Sequence, residues 1–156
     1  MPGEALLIGI ATVAVVVAGF AAIAPGLATD RSAWTSGQRY RLRGIVSTSF
    51  NVTFESLLPA VLYPAVADER GTLVLSSALV FLYALFVIVV RGRQAILAGL
   101  IRRRWTQFIV VAGITATTLF GLNALVFGSL TVYALALCIQ LSVAAISFYS
   151  LLASTG

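Results

Sequence analysis

Residues 105–156 read WTQFIVVAGITATTLFGLNALVFGSLTVYALALCIQLSVAAISFYSLLASTG and carry no charged side chain. As one straight helix this stretch would be about 78 Å long, more than twice the roughly 30 Å hydrocarbon core of a bilayer. It must therefore fold back, and the dipeptide Gly128-Ser129 near its middle is typical of a turn. The stretch predicts two membrane-spanning helices, roughly 105–127 and 130–153, joined as a tight hairpin.

Three further apolar runs precede this hairpin, each bounded by charged residues. They predict helices at roughly 5–27, 44–66 and 72–90, and only the second run contains a formally charged residue, Glu55. The first run lacks the basic start of a signal peptide and is longer than its usual apolar core, so we expect it to be retained. The sequence predicts an all-α integral membrane protein, with residues 1–156 forming a single transmembrane domain of about five helices.

Composition supports this fold class and excludes several functions. The chain is 60% hydrophobic and 10% charged, whereas soluble domains are nearer half apolar and about a quarter charged. It has neither Lys nor His, which excludes a retinal Schiff base, bis-His haem and His-ligated zinc. The single cysteine, Cys138, allows no intrachain disulfide and no Cys-rich metal site. We therefore expect no cofactor and no metal.

The arginines indicate the orientation of the chain. Every arginine except Arg70 lies in one of two connecting segments, 28–43 and 91–104. Five helices place both segments on the same side of the membrane, and the positive-inside rule makes that side cytoplasmic. This predicts an outer N-terminus and a cytoplasmic C-terminus in a cell membrane, the inner or plasma membrane. The net charge of +5 is then a topology signal, and no nucleic-acid partner is expected.

The arginine-rich segments leave two questions open. Segment 91–104, RGRQAILAGLIRRR, could be a short helix in the headgroup layer or an extension of the third helix. The arginines could also bind anionic lipid headgroups or a phosphorylated ligand, although a role in orientation alone is favoured. The candidates for headgroup binding are Arg39, Arg41, Arg43, Arg102, Arg103 and Arg104.

Small residues recur every four positions in two of the predicted helices, and such rows allow close helix packing in lipid. We favour packing within the protomer over a subunit interface. The rows are Ala14, Ala18, Ala22 and Gly26 in the first helix, and Gly113, Thr117 and Gly121 in the fourth.

The second predicted helix contains a polar stripe, within the sequence GIVSTSFNVTFESLLPAVLYPA. Ser47, Asn51 and Glu55 follow at four-residue spacing and Thr48 flanks them, so they share one face. Glu55 falls near the bilayer centre, where an ionised carboxylate costs at least about 2.5–3.5 kcal/mol. Three arrangements are reasonable: a neutral acid bonded to a neighbour, a carboxylate facing a water-filled path, or a carboxylate holding a cation.

Polar residues at similar depth on other helices are candidate partners for Glu55. Thr117 and Thr118 lie in the fourth helix and Gln140 in the fifth. The alternative is structural, because Gln140 alone is typical of interhelical hydrogen bonding and the threonines can bond their own backbone. Two prolines beyond the stripe, Pro59 and Pro64, could open a cavity, but membrane helices also tolerate proline well.

Enzyme activity is not expected, since the chain has no His and both its aspartates lie in loops. The leading hypothesis is a homo-oligomeric cation or proton channel, or a small carrier, with Glu55 on the polar stripe as the selective group. In a cyclic homo-oligomer Glu55 would recur as an acidic ring. The alternative is a non-catalytic membrane subunit or scaffold, whose stripe would bind a partner membrane protein. Membrane lipids are partners in both cases.

Overall fold

The computed structural model describes residues 3–27, 36–97 and 104–152, and in these ranges the chain forms five helices and no β-strand. All five are long and apolar enough to cross a membrane, so the predicted all-helical fold with five helices of membrane-spanning length is confirmed. They are α1 (Glu4–Leu27), α2 (Ser36–Val66), α3 (Glu69–Leu97), α4 (Arg104–Leu122) and α5 (Leu130–Leu152). α4 continues as a π-helical turn over Asn123–Phe127.

Two helices are longer than the apolar runs that predicted them. α2 begins at Ser36 rather than near residue 44, so its first turns carry arginines that were expected in a loop. α3 continues to Leu97, which makes the first half of segment 91–104 an extension of the helix; residues 98–103 lie outside the described residues. The length of an apolar run indicates only the part of a helix that lies in hydrocarbon. Outside the hydrocarbon the helix can continue through arginines, because arginine is a good helix former.

α2 and α5 form the centre of the bundle. α2 packs against α1, α3 and α5, while α4 packs against α3 and α5. Gly3, just before α1, lies against the side chain of Leu130 at the start of α5. At the other end, Ala21 of α1, Ile45 of α2 and Leu151 of α5 form one apolar cluster. Successive helices are therefore antiparallel, and the bundle has two distinct ends.

The charges differ between these two ends. We call the end with the Ala67-Asp68 and Gly128-Ser129 connections the turn end, and the opposite one the arginine end. α2 and α4 begin at the arginine end and α3 finishes there, so the described parts of both arginine-rich segments lie at that end. Its described arginines are Arg39, Arg41, Arg43, Arg91, Arg93 and Arg104, whereas the described turn end holds Glu4, Asp68, Glu69 and Arg70.

Alongside its apolar core, the bundle buries several small polar side chains and leaves many large apolar ones exposed. Ser49 and Ser76 are completely buried, whereas Phe54 is 72% and Leu125 85% exposed. In water this distribution would be unfavourable, because large apolar surface would remain hydrated. Hydrocarbon reverses the preference, since lipid solvates the apolar surface while polar groups need partners inside the protein. The burial pattern therefore supports a membrane environment independently of helix length.

A compact capping arrangement joins α2 to α3 at the turn end. Asp68 is the N-cap of α3, and its Oδ2 accepts a 2.5 Å hydrogen bond from the backbone N–H of Gly71. The Thr72 hydroxyl donates to the Asp68 carbonyl oxygen at 2.6 Å. N-cap aspartates satisfy amides that the first helical turn leaves unpaired. The cap fixes where α3 begins and directs the chain back along α2.

Asn123 holds the corresponding turn between α4 and α5. Its Nδ2 donates to the Ser77 hydroxyl of α3 at 2.8 Å, and its Oδ1 accepts from the backbone N–H of Ser129 at 2.8 Å. Gly128 ends the π-helical turn with φ of 55°, in the left-handed region that favours glycine. A Cβ atom there would lie 2.7 Å from the Arg70 side chain, so both backbone and space require glycine.

Candidate functional site

Pro59 leaves a gap in the backbone hydrogen bonding of α2 beside Glu55. In an α-helix the carbonyl of a residue accepts from the N–H four residues later, and Pro59, four residues after Glu55, has no N–H. The Glu55 carbonyl oxygen instead accepts a 2.6 Å hydrogen bond from the Tyr133 hydroxyl of α5. Because Tyr133 is completely buried, α5 supplies inside the bundle the donor that proline removed.

The side chain of Glu55 also bonds to α5. Its Oε2 accepts a 2.8 Å hydrogen bond from Gln140 Nε2, and the residue is only 6% exposed. Tyr133 and Gln140 are about two helical turns apart and therefore lie on one face of α5. α5 thus holds Glu55 by both its backbone and its carboxyl group. We call Glu55, Pro59, Tyr133 and Gln140 the Glu55 site.

The chemistry of the Glu55 site suits a group that changes its protonation state. The Gln140 amide can donate through Nε2 to a carboxylate, or accept through Oε1 from a neutral carboxylic acid, after rotation of the amide. Tyr133 and Gln140 are neutral partners, so Glu55 has a hydrogen-bonding partner in either state. Among the described residues no three His, Cys, Asp or Glu side chains are grouped as metal ligands.

Of the predicted site residues, Glu55 and Gln140 are brought together, whereas Asn51 of the polar stripe bonds to α3. Asn51 Oδ1 accepts a 3.2 Å hydrogen bond from the Tyr83 hydroxyl of α3. Ser47 and Thr48 are half-buried. The cause is helical geometry, because each four-residue step rotates the side chain by about 40°. Over two such steps Glu55 moves from the face of Ser47 to the one that meets α5.

The two threonines predicted as partners do not reach Glu55. Thr117 is buried, and its hydroxyl donates to the Gly113 carbonyl oxygen at 2.8 Å. Thr118 is exposed, and its hydroxyl donates to the Ile114 carbonyl oxygen at 2.9 Å. Both hydroxyls therefore bond the preceding turn of their own helix, as threonine in apolar helices commonly does.

The described arginine candidates lie at one end of the bundle. Arg39, Arg41 and Arg43 occupy the first turns of α2, where Arg41 is half-buried and the other two are exposed. Arg104 begins α4 at the same end. Arg102 and Arg103 lie outside the described residues. Along α2, Arg39, Arg41 and Arg43 are well separated from Glu55.

Sequence reasoning did not identify Tyr133, Ser49 or Ser76. Tyr133 could have been sought by counting four residues back from Pro59 and asking which donor satisfies the freed carbonyl. The hydroxyl oxygens of Ser49 on α2 and Ser76 on α3 are buried, and within the described part of the chain neither has a hydrogen-bond partner. No sequence signal distinguishes these serines from those that bond their own helix, such as Ser56.

Comparison with protein-family models, with curated proteins and with solved structures finds no match for this chain. The functional proposal therefore rests on the fold and the Glu55 site alone. The main feature of the site is an ionisable side chain that is enclosed between two helices of membrane-spanning length and bonded there by neutral hydrogen-bond donors.

Proposed function

We propose that the protein moves a proton or small cation across a cell membrane, as a channel or small carrier in which Glu55 binds the ion. The observation that supports this most is the position of Glu55, near the middle of a membrane-spanning helix and almost fully buried against α5. A carboxylate at that depth costs at least about 2.5–3.5 kcal/mol. Ionisable residues facing the interior of a membrane bundle usually mark ion or proton paths.

The unequal charges of the two ends support an orientation for this transporter. The positive-inside rule places the arginine end in the cytoplasm, with the N-terminus outside, the C-terminus inside, and the inner or plasma membrane as the location. The exposed Arg39 and Arg43 would then meet anionic headgroups of the cytoplasmic leaflet. We further propose a homo-oligomer, the usual assembly of small membrane channels with closed symmetry.

Replacing Glu55 with glutamine tests the proposal. The amide keeps the shape of the side chain and its capacity to bond Gln140, but it can neither ionise nor carry a proton. We expect purified Glu55→Gln protein to insert and fold normally, while ion or proton flux into liposomes falls to the level of protein-free vesicles. Flux is measured with a pH-sensitive dye, and with cation-sensitive dyes, under an imposed membrane potential.

Glu69→Gln is the matched control, because it makes the same chemical change in the first turn of α3 at the turn end. This variant should retain wild-type flux. If wild-type protein produces flux that Glu55→Gln leaves unchanged, Glu55 is not part of the mechanism. If wild-type protein produces no flux under any gradient, the transport proposal is wrong.

One observation supports the alternative of a non-catalytic membrane subunit. The bonded pair Asn51 and Tyr83 lies on the outside of the bundle, where Tyr83 is 46% exposed. Polar groups at mid-membrane depth are usually covered by another helix. The mass of the purified protein in mild detergent separates the alternatives: a homo-oligomer supports the channel or carrier, and co-purification with a different membrane protein supports the subunit.

A further inference from the structure

Ser49 and Ser76 are unusual among the polar side chains of the bundle. Both residues are completely buried, and their hydroxyl oxygens have no partner within the described residues. Several other buried or partly buried hydroxyls bond a carbonyl of their own helix, among them Thr53, Thr117 and Ser56, whose hydroxyl donates to the Val52 carbonyl oxygen at 2.7 Å. A buried hydroxyl without a partner is destabilising, and native proteins keep few of them. Two such groups on adjacent helices require an explanation.

The two serines lie on opposite sides of Glu55 along the membrane normal. Ser49 precedes Glu55 on α2 and lies about 9 Å closer to the arginine end, at 1.5 Å per residue. α2 ends at Val66 and α3 begins at Glu69, so residues equally far from this short connection lie at similar depth. Ser76 therefore lies opposite Pro59, roughly 6 Å closer to the turn end than Glu55. From the arginine end to the turn end, the order in depth is therefore the Ser49 hydroxyl, the Glu55 carboxyl group and the Ser76 hydroxyl.

The hydrogen bonds around Glu55 favour a proton over a metal ion as the species that passes. Metal cations such as Ca²⁺ and Mg²⁺ take about six or more oxygen ligands. Here the Glu55 carbonyl is occupied by Tyr133, and the hydroxyls of Thr53 and Ser56 are bonded to their own helix. A proton needs no additional oxygen ligands, because protonation of Glu55 only reverses the direction of its hydrogen bond with the Gln140 amide.

We infer, on the basis of the proposed function, that the transported species is a proton and that its path lies inside each protomer, along α2 and α3 past Glu55. Ser49 and Ser76 are the hydroxyl steps on either side of Glu55. In each cycle the Glu55 carboxylate takes a proton from one side and the acid releases it to the other. Each serine accepts one proton as it donates another, and bridging water spans the remaining gaps.

Alanine substitutions separate this role from a structural one. Ser49→Ala and Ser76→Ala remove unpaired polar atoms, so stability should be unchanged or slightly increased. We expect proton flux in liposomes to fall about tenfold or more, because a positioned proton-transfer group commonly contributes on the order of 10²-fold. Ser56→Ala is the matched control, with its hydroxyl already bonded to α2, and should keep wild-type flux.

The location of the path is tested by mixing protomers. Wild-type and Glu55→Gln chains are co-expressed in graded ratios, purified together and reconstituted. A path inside each protomer gives flux proportional to the wild-type fraction. A shared central pore gives a steeper fall; an all-or-none tetramer at equal mixing would retain about one sixteenth of the flux.

The outcomes distinguish this inference from the proposed function. The inference is supported if flux is proportional to the wild-type fraction and is reduced in both serine variants. It is overturned if flux falls more steeply than the wild-type fraction, or if Ser49→Ala and Ser76→Ala keep wild-type flux; either result leaves transport dependent on Glu55 in place. Flux of sodium or potassium ions without protons overturns the identity of the transported species. Absence of any flux that depends on Glu55 overturns both proposals.

Discussion

Replacing Tyr133 with phenylalanine tests whether α5 closes the backbone gap that Pro59 leaves in α2. The substitution removes the hydroxyl and keeps the ring, whose centroid lies 5.2 Å from that of Phe120 in an edge-to-face contact. The Glu55 carbonyl oxygen then has neither the missing N–H of Pro59 nor the Tyr133 hydroxyl to accept from. The measured change in stability therefore reports one hydrogen bond rather than a loss of packing.

The size of the effect follows from the burial and length of this bond. An unpaired buried acceptor costs about 1–3 kcal/mol in soluble proteins, while interhelical hydrogen bonds in membranes average about 0.6 and reach about 1.7 kcal/mol. The bond is 2.6 Å long and Tyr133 is completely buried. We therefore expect Tyr133→Phe to lower the free energy of unfolding by about 1.5 kcal/mol, near the upper membrane value.

A second substitution makes the test specific. Pro59→Ala restores an N–H that can donate to the Glu55 carbonyl within α2. In that background Tyr133→Phe should cost less than about 0.5 kcal/mol, giving a coupling energy of about 1 kcal/mol. Stability is measured by reversible unfolding in mixed micelles of mild detergent and dodecyl sulfate, followed by circular dichroism.

Tyr83→Phe serves as the control for losing a tyrosine hydroxyl. Its bond to Asn51 is 3.2 Å long and partly exposed, so the loss should be below about 0.5 kcal/mol. An equal penalty for Tyr133→Phe with and without Pro59 would refute the assignment. It would show that the hydroxyl acts through some group other than the carbonyl freed by proline.

Two further predictions concern helix packing and exposure to lipid. Gly121→Ala should destabilise the protein by about 1 kcal/mol, because the new Cβ would lie 3.0 Å from the Phe81 ring. Gly113→Ala should be neutral or stabilising in the same unfolding assay, since no atom outside the neighbouring backbone of α4 lies within 4 Å of a Cβ at that position. Cys138 is exposed on an apolar groove of about 440 Å³ between α4 and α5. A charged maleimide should therefore label it slowly in intact membranes and rapidly after denaturation, because a charged reagent does not readily enter hydrocarbon; rapid labelling in membranes would show that this groove faces water.

The number of spanning helices was predictable because charged residues mark the limits of the hydrocarbon. The uncharged stretch after Arg104 had to fold back, and the structure turns it at Gly128-Ser129. The helix ends were less predictable. α2 and α3 extend beyond the apolar runs, since a helix that leaves the hydrocarbon can satisfy its polar side chains in water or headgroups.

The faces on which the helices pack were harder to predict. In α1 the four-residue row of small residues predicted contact through Ala14, Ala18 and Ala22, yet Ala21 is buried and Ala22 is exposed. Four residues exceed one helical turn of 3.6, so a strict four-residue row moves around the helix. Steps of four and three residues, from Ala14 to Ala18 to Ala21, remain on one face. The predicted packing face of α1 is therefore right at Ala14 and Ala18 and wrong at Ala22.

Hydrophobicity could not identify the contacts of the Glu55 site, because lipid is as apolar as the residues between helices and does not select which face turns inward. Hydrogen-bonded polar pairs determine instead which helix face turns inward. Tyr133 bonds the backbone carbonyl of Glu55 and Gln140 bonds its carboxyl group, which fixes α5 against α2, and Asn123 fixes α4 against α3. Since Glu55 contributes to helix pairing as well as to the proposed transport, a substitution by an apolar residue would remove both contributions at once. Glutamine retains the bond to Gln140 and removes only the titratable proton, which is why the transport proposal depends on that variant folding normally and failing to conduct.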